Sequence, residues 1–168
     1  MSPEPDAVYE VMRRAYEAGI RVEMVEGTPT WEAFPGYRHQ RILKQVEQTV
    51  KVDPHGGHGC GCFSIQDTDL LFPDGSYKRP DLAIYCEEPP DAEGAQSVLP
   101  QAVVEILSPG YERKDMVVGP PFYLKHGISD VVVIDPRSGT GRHFTRKSEA
   151  AFTSPTTIKL QCGCSITG

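Results

Sequence analysis

Glu105 stands in the middle of Val103-Val104-Glu105-Ile106-Leu107, one acid in an otherwise apolar run, and no other feature constrains the fold of this chain as tightly. A segment apolar at both odd and even positions reads as a strand covered on both faces, at the centre of a sheet with helices on each side. A carboxylate in such a strand is costly unless something pairs with it. Asp81 has the same character: it follows Arg79-Pro80 and opens the run Leu82-Ala83-Ile84-Tyr85. The simplest partner for two converging carboxylates is a hard divalent cation with oxygen ligands, Mg²⁺ or Mn²⁺.

The rest of the chain supplies the elements that such a sheet needs. Val8, Val11, Met12 and Ala15 recur at helical spacing, which predicts a helix from about Asp6 to Ala18 with Gly19 as its stop. Alternation over Ile20 to Val25 predicts a half-buried strand. Tyr37 to about Val52 reads as a helix with Ile42, Leu43, Val46 and Val50 on one face, ended by Asp53-Pro54-His55-Gly56-Gly57. Strands are expected at about 60–66, 82–85, 102–107, 130–134, 141–146 and 157–160, with a polar, proline-rich loop between Tyr85 and Gln101. A short helix from Pro120 to His126 has proline in its first turn and Gly127 as its stop. This order predicts an α/β fold with a mixed central sheet flanked by helices.

Taken together the motifs form an ordered set. Arg79-Pro80-Asp81 is followed by Val103-Val104-Glu105-Ile106-Leu107-Ser108-Pro109, then Asp115, Tyr123, Gly127-Ile128 and Val133-Ile134-Asp135-Pro136. Upstream lie Glu23-Met24-Val25-Glu26-Gly27 and Pro35-Gly36-Tyr37-Arg38-His39-Gln40. In this order and spacing the chain resembles the Uma-two family of restriction-endonuclease-like proteins, a branch of the PD-(D/E)XK nuclease superfamily. The resemblance implies a restriction-endonuclease-like fold and a metal-dependent phosphodiesterase site. It implies one domain over 1–168, with an N-terminal helix over 1–19, the family core over 21–136 and C-terminal strands over 137–168. Asp81 and Glu105 take the central metal-binding places, and Glu23 assists as a third ligand. His39 is the candidate for orienting phosphate, and Asp115 matches the family's downstream acid.

One departure bears on catalysis. The family places a lysine four residues after that acid and four before the tyrosine; here Gly119 stands between Asp115 and Tyr123. The Glu-X-Lys form is missing too, because Ile106 and Leu107 follow Glu105. Such a lysine orients the attacking water and stabilises charge in the transition state. Lys114, Lys78 and Lys125 are the substitutes within reach of the motif, and Lys114 is the nearest. Pro120 and Pro121 cannot donate to a helix ladder, so Asp115 and Tyr123 are not expected to share one unbroken helix. Gly119, preceding a proline, is expected to be extended.

Charge and cysteines limit the alternatives. The net charge of −6 is unlike the basic balance of most duplex-binding proteins, so any DNA-facing patch must be local. The candidate groups are Lys78 with Arg79, Arg113 with Lys114, and Arg142, His143, Arg146 and Lys147. No stretch approaches the roughly twenty apolar residues of a membrane span, and the acidic N-terminus lacks the pattern of a signal peptide, which makes a cytoplasmic location the expectation. The five cysteines include two Cys-Gly-Cys triplets. Zn²⁺ at Cys60, Cys62, Cys162 and Cys164, helped by His55 and His58, is weighed against small buried strand residues with reduced thiols, and the second is preferred. An odd count in a reducing compartment argues against a structural disulfide.

The expected function is metal-dependent hydrolysis of DNA phosphodiesters, with Asp81, Glu105, Lys114 and His39 as the catalytic set and Asp81, Glu105 and Glu23 holding the metal. A homodimer is expected on symmetry grounds, and no membrane partner. The alternatives are a catalytically weakened DNA- or partner-binding module of the same fold, and a small zinc-binding structural protein.

Overall fold

The computed structural model describes residues 5–32, 34–56, 59–110, 112 and 114–168. His58 and Arg113 lie outside the described residues, as does the side chain of Lys114. In chain order, helix α1 (Pro5–Glu17) is followed by strands β1 (Arg21–Val25) and β2 (Thr28–Glu32), then helix α2 (Tyr37–Gln48). Short strands β3 (Lys51–Val52), β4 (Phe63–Gln66), β5 (Leu70–Leu71) and β6 (Tyr77–Lys78) lead to β7 (Leu82–Tyr85) and β8 (Ala102–Ile106). A π-helical turn, Lys114–Val118, runs into helix α3 (Gly119–Lys125). Strands β9 (Asp130–Asp135), β10 (Thr140–Phe144), β11 (Glu149–Thr153), β12 (Thr157–Lys159) and β13 (Cys164–Thr167) complete the order.

The central sheet has the order β11-β10-β9-β8-β7-β4. Only β8 and β9 are parallel; every other neighbouring pair is antiparallel. The mixed sheet follows from the connections: β8 reaches β9 through α3, the crossover that a parallel pair requires. Every residue of β8 is buried, as a run apolar on both faces demands. One face carries Leu82, Ile84, Val104, Ile106 and Val132 against Leu43 and Val46 of α2. The other carries Val103, Val131 and Val133 against Phe122 and Tyr123 of α3. His39, Leu43 and Val46 are the buried residues of α2, spaced as one helical face. Two smaller sheets, β2-β1-β6-β5 and β12-β13-β3, flank this core.

Several expectations change. Helix α2 ends at Gln48, because Lys51 and Val52 leave it to pair with β13. Strands β2, β5, β6, β11 and β13 are additions. They are two to five residues long or exposed, as β11 is, so their sequences carry little alternation. Gly119 is helical rather than extended. The clash that pushes a residue before proline out of the helical region involves its Cβ, which glycine lacks. Helical backbone therefore runs from Lys114 to Lys125 without a loop, changing from π to α at Gly119. The two prolines occupy the first positions of α3, where a missing N–H leaves no bond unmade.

Candidate active site

In the antiparallel register of β7 and β8, Leu82 pairs with Val104 and Ala83 with Val103. Asp81, immediately before β7, lies next to Glu105 of β8, with His39 of α2 on Asp81 and Tyr123 of α3 on Glu105. The amide of Asp81 donates to Glu105 Oε2 at 3.3 Å, and the amide of Ile106 donates to Asp81 Oδ2 at 2.7 Å. Each carboxylate is thus held by the backbone of the other's strand. Both are nearly buried, Asp81 at 7% and Glu105 at 6% exposure, so neither is a solvated surface acid.

Tyr123, on α3, binds the other oxygen of this pair: its hydroxyl donates to Glu105 Oε1 at 2.7 Å. Burial is the main cause raising the Tyr123 pKa well above that of an ordinary phenol, followed by the charges of Glu105 and Glu23 and then that of Asp115. The phenol therefore stays a donor at any working pH. Asp115 itself is buried in the π-helical turn. Lys78 Nζ lies 5.0 Å from the centroid of the Tyr123 ring and 3.1 Å from Glu23 Oε2. Lys78 and Glu23 are each 2% exposed, which makes theirs a buried ion pair. The amide of Arg79 donates to Glu23 Oε1 at 2.9 Å, so Lys78 and the chain beside it engage both oxygens of Glu23.

His39 is positioned by α2, with Nε2 3.1 Å from Asp81 Oδ2. Its Nδ1 is buried and makes no hydrogen bond. Burial lowers the His39 pKa, but the hydrogen bond and charge of Asp81, with Asp67 behind, outweigh it, and the net direction is upward. Beside this histidine opens a cavity of about 310 Å³ lined by Arg21, Gln40, Asp67 and Arg79 among others. Arg21 pairs with Asp67 at 3.3 Å, and Arg79 grips Asp69 through both Nε and Nη2. The Asp67 amide donates to the Asp81 carbonyl at 3.2 Å, which ties the cavity wall to the carboxylate pair.

The surrounding basic residues are mostly spoken for. Lys78 and Arg79, expected as part of a DNA-facing patch, are instead a buried ion-pair member and a half-buried partner of Asp69. Arg142 pairs with Glu149, and His143 with the fully buried Asp130. Lys125 is exposed and bonds Glu26.

The donor set suits a hard cation. Asp81 and Glu105 offer two buried carboxylates joined through backbone amides, and Mg²⁺ commonly takes one or two carboxylates with waters and substrate phosphates filling its shell. Glu23, expected as a third ligand, is turned to Lys78 and the Arg79 amide. Among the described residues, three or more metal-ligating atoms lie within 4.8 Å of one another only in the cysteine cluster. There the expectation of reduced thiols changes: Cys60–Cys86 and Cys62–Cys164 are disulfides, and Cys162 is free.

A family of restriction-endonuclease-like proteins, described as "Uma2: Putative restriction endonuclease", matches residues 6–161. The chain belongs to this family. Its fold agrees with that of a solved relative, the crystal structure of a "putative nuclease belonging to DUF820" from Anabaena variabilis. The TM-score is 0.62 at 18% identity, over 82% of this chain and 80% of that one. The likeness shows a shared restriction-endonuclease-like fold. No match was found among curated proteins. What only the structure makes legible is where the candidate substitute lysines lie. Lys78, one of three candidate substitutes in the sequence, is the buried cation beside Tyr123, whereas Lys125 points to solvent. The local sequence Tyr77-Lys78-Arg79 carries no sign of this, because a two-residue strand shows no alternation.

Proposed function

We propose that this chain is a metal-dependent endodeoxyribonuclease whose centre is the Asp81–Glu105 pair. The observation that carries the reading is the pairing of two nearly buried carboxylates across β7 and β8, each anchored by the opposite strand's amide. Family membership supports it. Asp81 and Glu105 hold Mg²⁺ or Mn²⁺, which when bound polarises a phosphoryl oxygen and lowers the pKa of a coordinated water. Tyr123 fixes the Glu105 rotamer through its hydroxyl, leaving Glu105 Oε2 facing Asp81. His39 holds Asp81 from the other side and, when protonated, adds positive charge where a phosphate would approach.

In this reading Lys78 supplies the cation that the family's lysine would supply from position 119, and Glu23 holds it in place. Lys114, the nearest lysine in sequence, stays a candidate for the same role. DNA is the substrate, and cutting both strands takes two such centres, which a C2 homodimer would provide.

A second reading has its own observation: the buried cation near the site is already paired with Glu23, and the chain carries a net charge of −6. Those facts favour a catalytically weakened module of the same fold, which binds DNA only through a local patch or binds another partner. Nicking of supercoiled plasmid in Mg²⁺ or Mn²⁺ separates the two. The nuclease reading expects nicking that a chelator stops and Asp81→Asn abolishes. DNA binding with no metal-dependent nicking would leave the binding module standing.

A further inference from the structure

The five cysteines converge at the far end of the sheet from Asp81. Cys60 and Cys62 precede β4, Cys86 follows β7, and Cys162 and Cys164 form the turn into β13. Asp81 stands just before β7 and Cys86 just after it, so five strand steps, roughly 16 Å, separate the carboxylates from the sulfurs. This cluster is independent of the proposed nuclease centre.

Four of the sulfurs are continuous. Cys62 is bonded to Cys164 and Cys60 to Cys86, and the Sγ atoms of Cys164 and Cys60 lie 3.3 Å apart although each is bonded elsewhere. Cys60, Cys62 and Cys164 have all their sulfurs within 4.8 Å of one another, and so do Cys60, Cys86 and Cys162. Two isolated disulfides need no such contact. A tetrahedral thiolate site does: with Zn–S of about 2.3 Å its sulfurs sit about 3.8 Å apart. Cys60, the sulfur common to both groups, and Cys164, in contact with it, are also the most buried, at 4% and 0%.

The glycine inside each triplet has a packing reason that fits a built site. The Gly61 amide donates to the Cys86 carbonyl at 2.8 Å, and a Cβ on Gly61 would come within 2.8 Å of that same oxygen. Gly163 takes φ +98° and lies so near Gly56 that a Cβ on Gly56 would fall 2.7 Å from its Cα. Bare backbone at both triplets lets three segments distant in sequence bring their sulfurs into two groups that share Cys60.

We propose that this cluster is a structural zinc site, with Cys60, Cys62, Cys86 and Cys164 as ligands, and that the two disulfides are its oxidised, metal-free form. Each disulfide accepts two electrons and two protons from a dithiol, which is itself oxidised to a disulfide, and yields two protein thiols. Zn²⁺ then displaces four thiol protons to form a four-thiolate centre. Thiolates select a soft or borderline ion, so this site and a carboxylate site for Mg²⁺ or Mn²⁺ would not compete for metal. Cys162, near two of the sulfurs, is the one thiol left outside.

The test uses the full chain reduced with dithiothreitol without oxygen, given zinc chloride and freed of excess metal. About one zinc per chain is expected. With zinc bound, alkylation by iodoacetamide followed by peptide mass spectrometry should label Cys162 and spare the other four, which react at least about tenfold more slowly than in the chelator-treated protein. Replacing zinc with Co²⁺ should give the ligand-field bands of a tetrahedral centre and thiolate charge transfer of four-sulfur intensity. Cys60→Ser/Cys164→Ser should lose the zinc. The cobalt spectrum and the protection pattern of the unaltered protein decide the matter if that variant does not fold. Trace zinc only, zinc retained by the double variant, or equal labelling of all five cysteines would each overturn the assignment.

Discussion

Asp81 and Glu105 hold one another through the backbone. The Asp81 amide reaches Glu105 Oε2 at 3.3 Å, while the strand of Glu105 returns the Ile106 amide to Asp81 Oδ2 at 2.7 Å. Rotating either carboxylate away would leave a buried amide without its acceptor, so the pair is preorganised by bonds that do not depend on a metal.

That preorganisation separates chemistry from folding in the carboxylate variants. Asp81→Asn retains an oxygen for the Ile106 amide, and Glu105→Gln retains one for the Asp81 amide. Both should fold, with melting temperatures near that of the parent, and lose metal-dependent nicking by at least about a hundredfold. Isothermal titration with Mn²⁺ should show weakened binding in each. Parental nicking by a folded variant would place the metal seat elsewhere.

The Lys78–Glu23 ion pair predicts a stability asymmetry. Lys78→Met strands a buried carboxylate and should cost about 3–5 kcal/mol, whereas Lys78→Met/Glu23→Gln removes both charges and should recover most of it. Urea unfolding of the parent and both variants measures this. Equal losses in the single and double variants would mean that the pair does not control stability.

Position 119 offers a direct exchange of the cation. Gly119 begins α3 and Tyr123 stands four residues on, which places the two on one helical face. The lysine can therefore be restored without altering Pro120 or Pro121. Lys78→Met/Glu23→Gln is expected to lose most of the nicking activity, and adding Gly119→Lys to it should regain at least about tenfold. If the folded triple variant binds Mn²⁺ but cuts no faster, the position of the cation is not what limits this site.

His39 predicts a pH dependence of stability. Its pKa is raised in the folded protein, because the hydrogen bond and charge of Asp81 outweigh burial. The stabilisation is therefore fully present below the ordinary imidazole value, about 6.5, and is lost as pH rises through the higher folded value. The stability difference between parent and His39→Gln should shrink over that rise. In Asp81→Asn the imidazole titration, followed by NMR, should move down, since burial then acts without the Asp81 charge. A difference between parent and His39→Gln that stays constant with pH would disprove the coupling.

The apolar runs around Glu105 and after Asp81 dictated a central sheet, since chemistry of that kind is stable only when covered on both faces. The spacing of Leu43 and Val46 likewise marked the face of α2. Local patterns of this sort survive translation into structure because period and burial are properties of neighbouring residues. Short strands such as β6 and exposed ones such as β11 were not legible, because two residues show no alternation and a solvated strand needs none.

The sequence alone determined the covered strands, the two acids and the absence of a lysine at position 119. Only the tertiary structure decided what each acid faces. The β7–β8 register sets Asp81 against Glu105, and a pairing of single residues between β1 and β6, Met24 with Tyr77, brings Glu23 to Lys78 across 55 positions. The same holds for the sulfurs, which lie up to 104 residues apart and meet only when β13 folds back beside β3. Register and long-range contact are set by the whole core at once, so no local pattern in the chain encodes them.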